Sequence, residues 1–227
     1  MKLEQVVPWG RNAHEYLRMF DLLESELTGR ILGCGDGPAS FNAELTALGR
    51  HVISVDPIYV FSAEAIRSRV DATYETIIGQ VKQHPERYVW REFADADAVG
   101  ATRLAAMECF LADFETGKRE GRYIEGSLPD LPFEPDSFDL TLCSHLLFLY
   151  SEQLDADFHI SAVRELLRVA RDVRIFPLLA LNCELSPHLP VVMAWCEAQG
   201  YRAEVRRVPY EFQVGGNQMF HIQRSGQ

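Results

Sequence analysis

The sequence predicts an α/β fold: a seven-stranded, mostly parallel sheet flanked by helices, with a helical insertion after the second strand and an antiparallel hairpin at the C-terminal end. Three observations predict it. Short apolar runs alternate with segments of helical periodicity along most of the chain. The first such run leads into a helix through a glycine-rich turn, Gly33-Cys34-Gly35-Asp36-Gly37. The last two strand-like runs, 201–208 and 218–223, have no helix between them and are joined through Val214-Gly215-Gly216-Asn217. A length of 227 residues suits one large α/β domain, so 1–227 is read as a single unit.

Ala13, Tyr16, Leu17, Phe20, Leu23 and Leu27 follow helical spacing; Asn12 and Glu15 are placed to cap the start, and Thr28-Gly29 ends the helix. A strand at 30–32 runs into the glycine turn. The next helix is expected over 38–48, with Pro38 in its first turn. Val52, Ile53 and Val55 mark a buried strand at 51–55, which closes on Asp56-Pro57. The following strand, 122–125, comes only after the stretch 57–121, far longer than an ordinary crossover of one helix and two brief loops. Two helices fit there. Ile66, Val70, Tyr74, Ile77 and Val81 define one; Met107, Phe110, Leu111 and Phe114 define the other, with Gly117 as its stop. Beyond the insertion, 138–143 reads as strand, 157–171 as helix, 173–176 as strand, and 189–199 as a helix stopped at Gly200.

Composition narrows the function. An apolar fraction of 47% and a charged fraction of 24% are those of a globular protein. The net charge of −11 counts against nucleic acid or an anionic membrane as partner, since both need a basic face. No apolar run reaches bilayer length, and residues 1–10 lack the core of a secretory signal, so a cytoplasmic location is expected. Cys34, Cys109, Cys143, Cys183 and Cys196 are scattered without a C-x-x-C pair, which fits reduced thiols. The seven histidines show no metal-ligand spacing, and no metal site is expected.

The glycine turn removes Cβ atoms that would hold a ligand off the backbone, and the helix after it presents free N–H groups. A plain strand-to-helix turn is the alternative. Asp56 ends the second strand about twenty residues later, where a doubly wound sheet sets a carboxylate beside the first turn, within reach of ribose hydroxyls. A dinucleotide fingerprint would need glycine at position 38, which is proline, and no Gly-Lys-Ser/Thr follows to make a P-loop.

With Leu131-Pro132-Phe133-Glu134-Pro135-Asp136-Ser137-Phe138-Asp139, these motifs resemble the class I S-adenosylmethionine-dependent methyltransferases, in particular the small-molecule type. The resemblance covers 30–224 apart from the insertion. It implies a Rossmann-like sheet, S-adenosylmethionine as cofactor, and methyl transfer to a small-molecule acceptor. The cofactor residues it implies are Gly33, Cys34, Gly35, Asp36 and Gly37 at the turn, Asp56 and Pro57 after the second strand, Ser127 and Leu128 after the third, and Ser144 after the fourth. Arg11 lies on a segment that often crosses the cofactor mouth in this fold and is expected to pair with the methionine carboxylate; a surface arginine before a helix is the alternative. His145 is the candidate general base, against a histidine merely bonded to backbone at a strand end.

Two positions depart from the family pattern. The acid usual two residues before the first glycine is replaced by Ile31, so another group, Asp36 or a backbone carbonyl, must serve. Ser127 stands where the family has an acid after the third strand. The insertion 57–121 is expected to act as a lid, with Tyr59, Phe61, Tyr88, Trp90 and Phe93 as the apolar wall of the acceptor pocket. A satellite core between its two helices is the alternative. The competing function is a non-catalytic protein that binds S-adenosylmethionine or its product. The sequence carries no signal for an oligomeric state.

Overall fold

The structure, a computed structural model, describes residues 9–224; residues 1–8, most of the stretch read as lacking a secretory-signal core, lie outside the described residues. In chain order the elements are α1 (Ala13–Met19), β1 (Arg30–Cys34), α2 (Phe41–Ala47), β2 (His51–Val55), α3 (Ala63–Gln83), α4 (Ala96–Arg119), β3 (Tyr123–Ile124) and β4 (Phe138–Ser144). They continue with α5 (Ala156–Val169), β5 (Ala170–Phe176), α6 (Leu189–Ala198), β6 (Arg202–Arg207) and β7 (Gln218–Gln223). The strands form one sheet in the order β3-β2-β1-β4-β5-β7-β6. Its first five are parallel, and β7 runs antiparallel to both β5 and β6. The expected fold class is the one observed.

Strand periodicity sorts the core into two layers. Ile31, Val52, Leu140, Leu142 and Met219 face α1 and α2, where they meet Tyr16, Met19, Phe41 and Leu45. Leu32, Cys143, Val173, Ile175 and Phe220 face α5 and α6 on the other side. Ile31 is therefore a core residue with no exposed surface. A third cluster joins α3 to α4 through Ile66, Val70, Met107, Phe110 and Phe114. No helix among the described residues is long and apolar enough to cross a membrane.

Several boundaries differ from the sequence expectation, each for a local reason. The first helix stops at Met19 rather than near Leu27. The Arg174 guanidinium, buried beneath it on β5, takes the carbonyls of Phe20 and Asp21 and pairs with Glu26. Asp21 turns left-handed (φ 47°), and Leu23 is left 62% exposed. Gly33 and Cys34 belong to β1, so the turn proper begins at Gly35. Pro38 precedes α2 instead of opening it, because 38–40 carry the crossing of the N-terminal segment: Ser40 N–H bonds Arg11 O, and a side chain at Gly10 would lie 2.0 Å from Pro38 O. The fourth strand runs on to Ser144, the third is only Tyr123–Ile124, and α5 passes into β5 at Ala170 without a loop.

Gly117 does not end α4. The helix continues to Arg119 and closes at Gly121 (φ 74°), while Gly117 lies inside it, with the Tyr123 ring 2.4 Å from where its Cβ would be. Its lack of a side chain lets α4 lie on β3. Gly117→Val is accordingly expected to destabilise the protein by about 1–3 kcal/mol, as overpacking does; urea denaturation checks it.

Candidate active site

Parallel pairing aligns the strand ends: Cys34 faces Val55 on one side and Cys143 on the other. The segments that leave these strands therefore meet at one end of the sheet, where β1 lies between β2 and β4 and the connections diverge. Such a switch point leaves a crevice for a ligand. Here it opens as a cavity of about 300 Å³. Arg11, Cys34, Gly35, Asp36, Gly37, Asp56, Pro57, Ser127, Leu128, Ser144 and His145 all line it; of the sequence-derived site residues, Gly33 does not.

Gly33 acts one layer down. The Asp36 carboxylate folds back beneath the turn, its Oδ2 1.8 Å from where a Gly33 Cβ would stand. There it accepts from the Tyr16 hydroxyl (2.8 Å) and the Ser54 hydroxyl (2.7 Å). Burial outweighs both bonds and pushes the Asp36 carboxyl up to about 7, with Asp56 adding to the rise. Gly35 also differs from the sequence argument. It has φ 69°, and a Cβ there would lie 2.8 Å from Leu146, so glycine is required by the backbone and by packing before any ligand arrives.

Asp56 clips the turn to the insertion. One oxygen accepts Gly37 N–H (2.8 Å), the other Ile58 N–H (2.9 Å). Burial raises its carboxyl to about 6 against these bonds. The Tyr59 hydroxyl, donating to Gly37 O at 2.8 Å, holds the turn from the same side.

At the other end of the cavity lies a buried charge cluster that the sequence reading missed. Arg103 on α4 is fully buried and pairs with Glu15 of α1. Glu15 also accepts from the Tyr210 hydroxyl at 2.8 Å. Burial pushes the Glu15 carboxyl up, but Arg103, then Arg11, hold it below its usual range. Arg11 donates to Trp9 O at 3.1 Å, and burial, then Arg103, bring its guanidinium down to about 10. Among the described residues, the Nε atoms of both arginines are buried without a hydrogen-bond partner. Two guanidinium groups thus share one carboxylate. An arginine on the apolar stripe Val99, Ala106, Met107 and Phe110 was the sequence signal for it.

His145 stands between the two ends. It adopts φ 54°, and its N–H bonds Phe176 O at 2.7 Å. Its Nδ1 lies 2.9 Å from Ser144 Oγ, so a side-chain contact holds the ring. Burial, then Arg11 and Arg103, keep the imidazole well below its usual range and hence neutral.

Of the five aromatic residues expected in the wall, Tyr59, Phe61, Trp90 and Phe93 line neither this cavity nor the one beside it. Tyr59 packs with Phe110, Phe114 and Tyr123 in the satellite core, and Phe61 is 55% exposed. Trp90 and Phe93 pack edge-on against Phe212 from the C-terminal hairpin. What the insertion gives this cavity is Pro57, Ile58 and Ile77; Tyr88 lines a second cavity next to it.

No protein-family model matches the chain. The uncharacterized protein MJ0045 of Methanocaldococcus jannaschii is 34% identical over 228 residues, covering 99% of this chain and 99% of that protein. The chain belongs to the family of that protein. Solved structures resemble it more distantly. Magnesium protoporphyrin IX methyltransferase of Synechocystis, with bound S-adenosylmethionine, is 12% identical with TM-score 0.46, over 89% of this chain and 73% of that one. A putative S-adenosylmethionine-dependent methyltransferase of Methanococcus maripaludis is 10% identical with TM-score 0.49, over 95% of this chain and 84% of that one. The sheet order, with its antiparallel seventh strand, is that of the class I methyltransferase fold.

Asp36 and Asp56 keep their protons to higher pH in the folded chain than in the unfolded one. At these two groups the folded state therefore binds more protons between about pH 4 and 7, and their contribution to stability falls as pH rises through that window. Asp36→Asn, with a neutral group at all pH values, is expected to lose less stability than the parent between pH 5 and pH 8. Urea midpoints at the two pH values measure the difference.

Proposed function

We propose that the chain binds S-adenosylmethionine in the first cavity and transfers its methyl group to a small-molecule acceptor. The observation that carries the reading is the pairing of the glycine turn with the Asp56 carboxylate across the switch-point cavity. When bound, the cofactor supplies a methyl group already activated on a sulfonium, which becomes a neutral thioether once the acceptor's nucleophilic atom has taken the methyl.

The chain's own residues then bind, align and exclude water. Each Asp56 oxygen accepts one backbone N–H and keeps a lone pair for a ribose hydroxyl. Ser127 and Leu128 flank the adenine side. Asp36 supplies the buried negative charge that the sequence lacks at Ile31, facing the cationic part of the cofactor. Arg11 answers the methionine carboxylate. His145 lines the cavity in its neutral form and can take the acceptor's proton if the nucleophile carries one, but the burial and the two arginines that keep it neutral also make it a weak base.

Calorimetry with S-adenosylhomocysteine tests the binding half. Asp56→Ala is expected to weaken it by about 1.5–3 kcal/mol, the range for hydrogen bonds to a charged group. Affinity should rise as pH rises through 7, since the ionised Asp36 attracts the ligand's ammonium group, and Asp36→Asn should flatten that rise. Undiminished affinity in Asp56→Ala would remove the cofactor from this site. Turnover of labelled S-adenosylmethionine on a metabolite mixture separates an enzyme from a non-catalytic binder. Once an acceptor is identified, His145→Ala should slow transfer about 10²–10⁴-fold if the residue is the base, with cofactor affinity little changed; a loss below tenfold leaves it a positioning role.

A further inference from the structure

A second cavity, of about 120 Å³, adjoins the first and shares Arg11, Ile77, His145, Leu149 and Leu181 with it. Its remaining walls come from Trp9, from the insertion, from the end of β5 and the segment after it (Phe176, Pro177 and Cys183), and from the connection between β6 and β7. That connection is brought to the site by the antiparallel hairpin, because pairing of Ile175 with Phe220 puts the start of β7 at the end where β5 finishes.

Size, shape and charge each restrict the occupant. The volume is close to the ~150 Å³ in which an apolar protein cavity holds one benzene ring. The lining is rich in rings: Tyr88 and Phe212 stack with centroids 4.8 Å apart at 24°, and Phe176 meets Tyr210 edge-on. Aromatic linings favour a ligand ring that can stack or pack edge-on. The charge is one-sided. Two arginines, Arg11 and Arg87, line the cavity and no aspartate or glutamate does, in a chain whose net charge is −11. The nearby carboxylate, Glu15, is already engaged by Arg103 and Tyr210. Among the described residues, the Arg87 guanidinium has one ion-pair contact, an exposed one to Glu86 at 4.0 Å, a pairing of small worth.

We propose that the second cavity is the acceptor site and that it takes a single planar ring bearing an anionic group. The proposal rests on the cofactor reading of the first cavity. Arg87 lines only the second cavity and marks its outer end, whereas His145 lines both and marks the junction. The anionic group sits at Arg87, and the nucleophilic substituent lies across the ring, at His145. The same cavity discriminates against cations, which would meet the Arg87 guanidinium with no lining carboxylate to offset it.

The test is a calorimetric titration of the full chain, saturated with S-adenosylhomocysteine, using benzoate, its neutral isostere benzamide, and benzylamine. Benzoate is expected to bind at least tenfold more tightly than benzamide, and benzylamine not measurably. Arg87→Gln, a partly exposed position that the fold does not depend on, should bring the benzoate-to-benzamide ratio near one while leaving benzamide affinity unchanged. Arg87→Lys should retain the preference, and Tyr88→Ala should weaken both ligands. A ratio below tenfold in the parent, or a preference that survives Arg87→Gln, overturns the acceptor assignment while leaving the cofactor site standing. Failure of S-adenosylhomocysteine itself to bind overturns the cofactor reading, and the acceptor site falls with it.

Discussion

The burial of Arg103 governs everything above the carboxyl end of the sheet. A guanidinium group with no exposed surface demands a partner, and breaking such a pair by removing one member costs about 3–5 kcal/mol. Its partner Glu15 comes from α1, the Tyr210 hydroxyl from the hairpin connection, and Arg103 itself from the insertion. One ion pair thus fixes three distant stretches of chain relative to each other. Glu15 also accepts the Asn12 N–H at the start of α1, so the capping box and the ion pair use the same carboxylate. Both cavities border the region these contacts hold together.

At the opposite end of the first cavity the same problem, a charge out of water, is solved differently. Asp36 has hydroxyl partners instead of a cation, and its carboxyl rises toward neutrality as a result. The space it fills exists because position 33 has no side chain. Ile31, packed into the α1–α2 layer, brings no charge to the strand before the turn, and the buried negative group there is the Asp36 carboxylate folded back beneath Gly33.

The sheet was legible in the sequence because strand burial has a period of two and apolar runs at 51–55 and 138–143 are hard to place elsewhere. The cavity was legible because two short motifs, the turn and Asp56, lie at strand ends that parallel pairing brings level. The features that could not be read depend on contacts between remote segments. The break after Met19 is made by Arg174, on a strand more than 150 residues away in the chain. Gly117 has the pattern of a helix stop, and only the Tyr123 ring packed over it gives the reason for glycine there. The aromatic residues of the insertion are visible as a group, but their periodicity does not distinguish a cavity wall from a core. Tyr59 faces Phe110 and Tyr88 faces Phe212, and those partners decide the matter.

Asp36 carries a thermodynamic signature of its own. A carboxyl that titrates near pH 7 is divided between two protonation states under ordinary conditions, so the turn exists as two charge forms in equilibrium. Any event that alters the field there shifts this balance and exchanges protons with the buffer. The observed heat of such an event then includes the ionisation enthalpy of whichever buffer is present. Enthalpies measured in phosphate and in Tris will differ by an amount proportional to the protons moved, and that difference counts them directly.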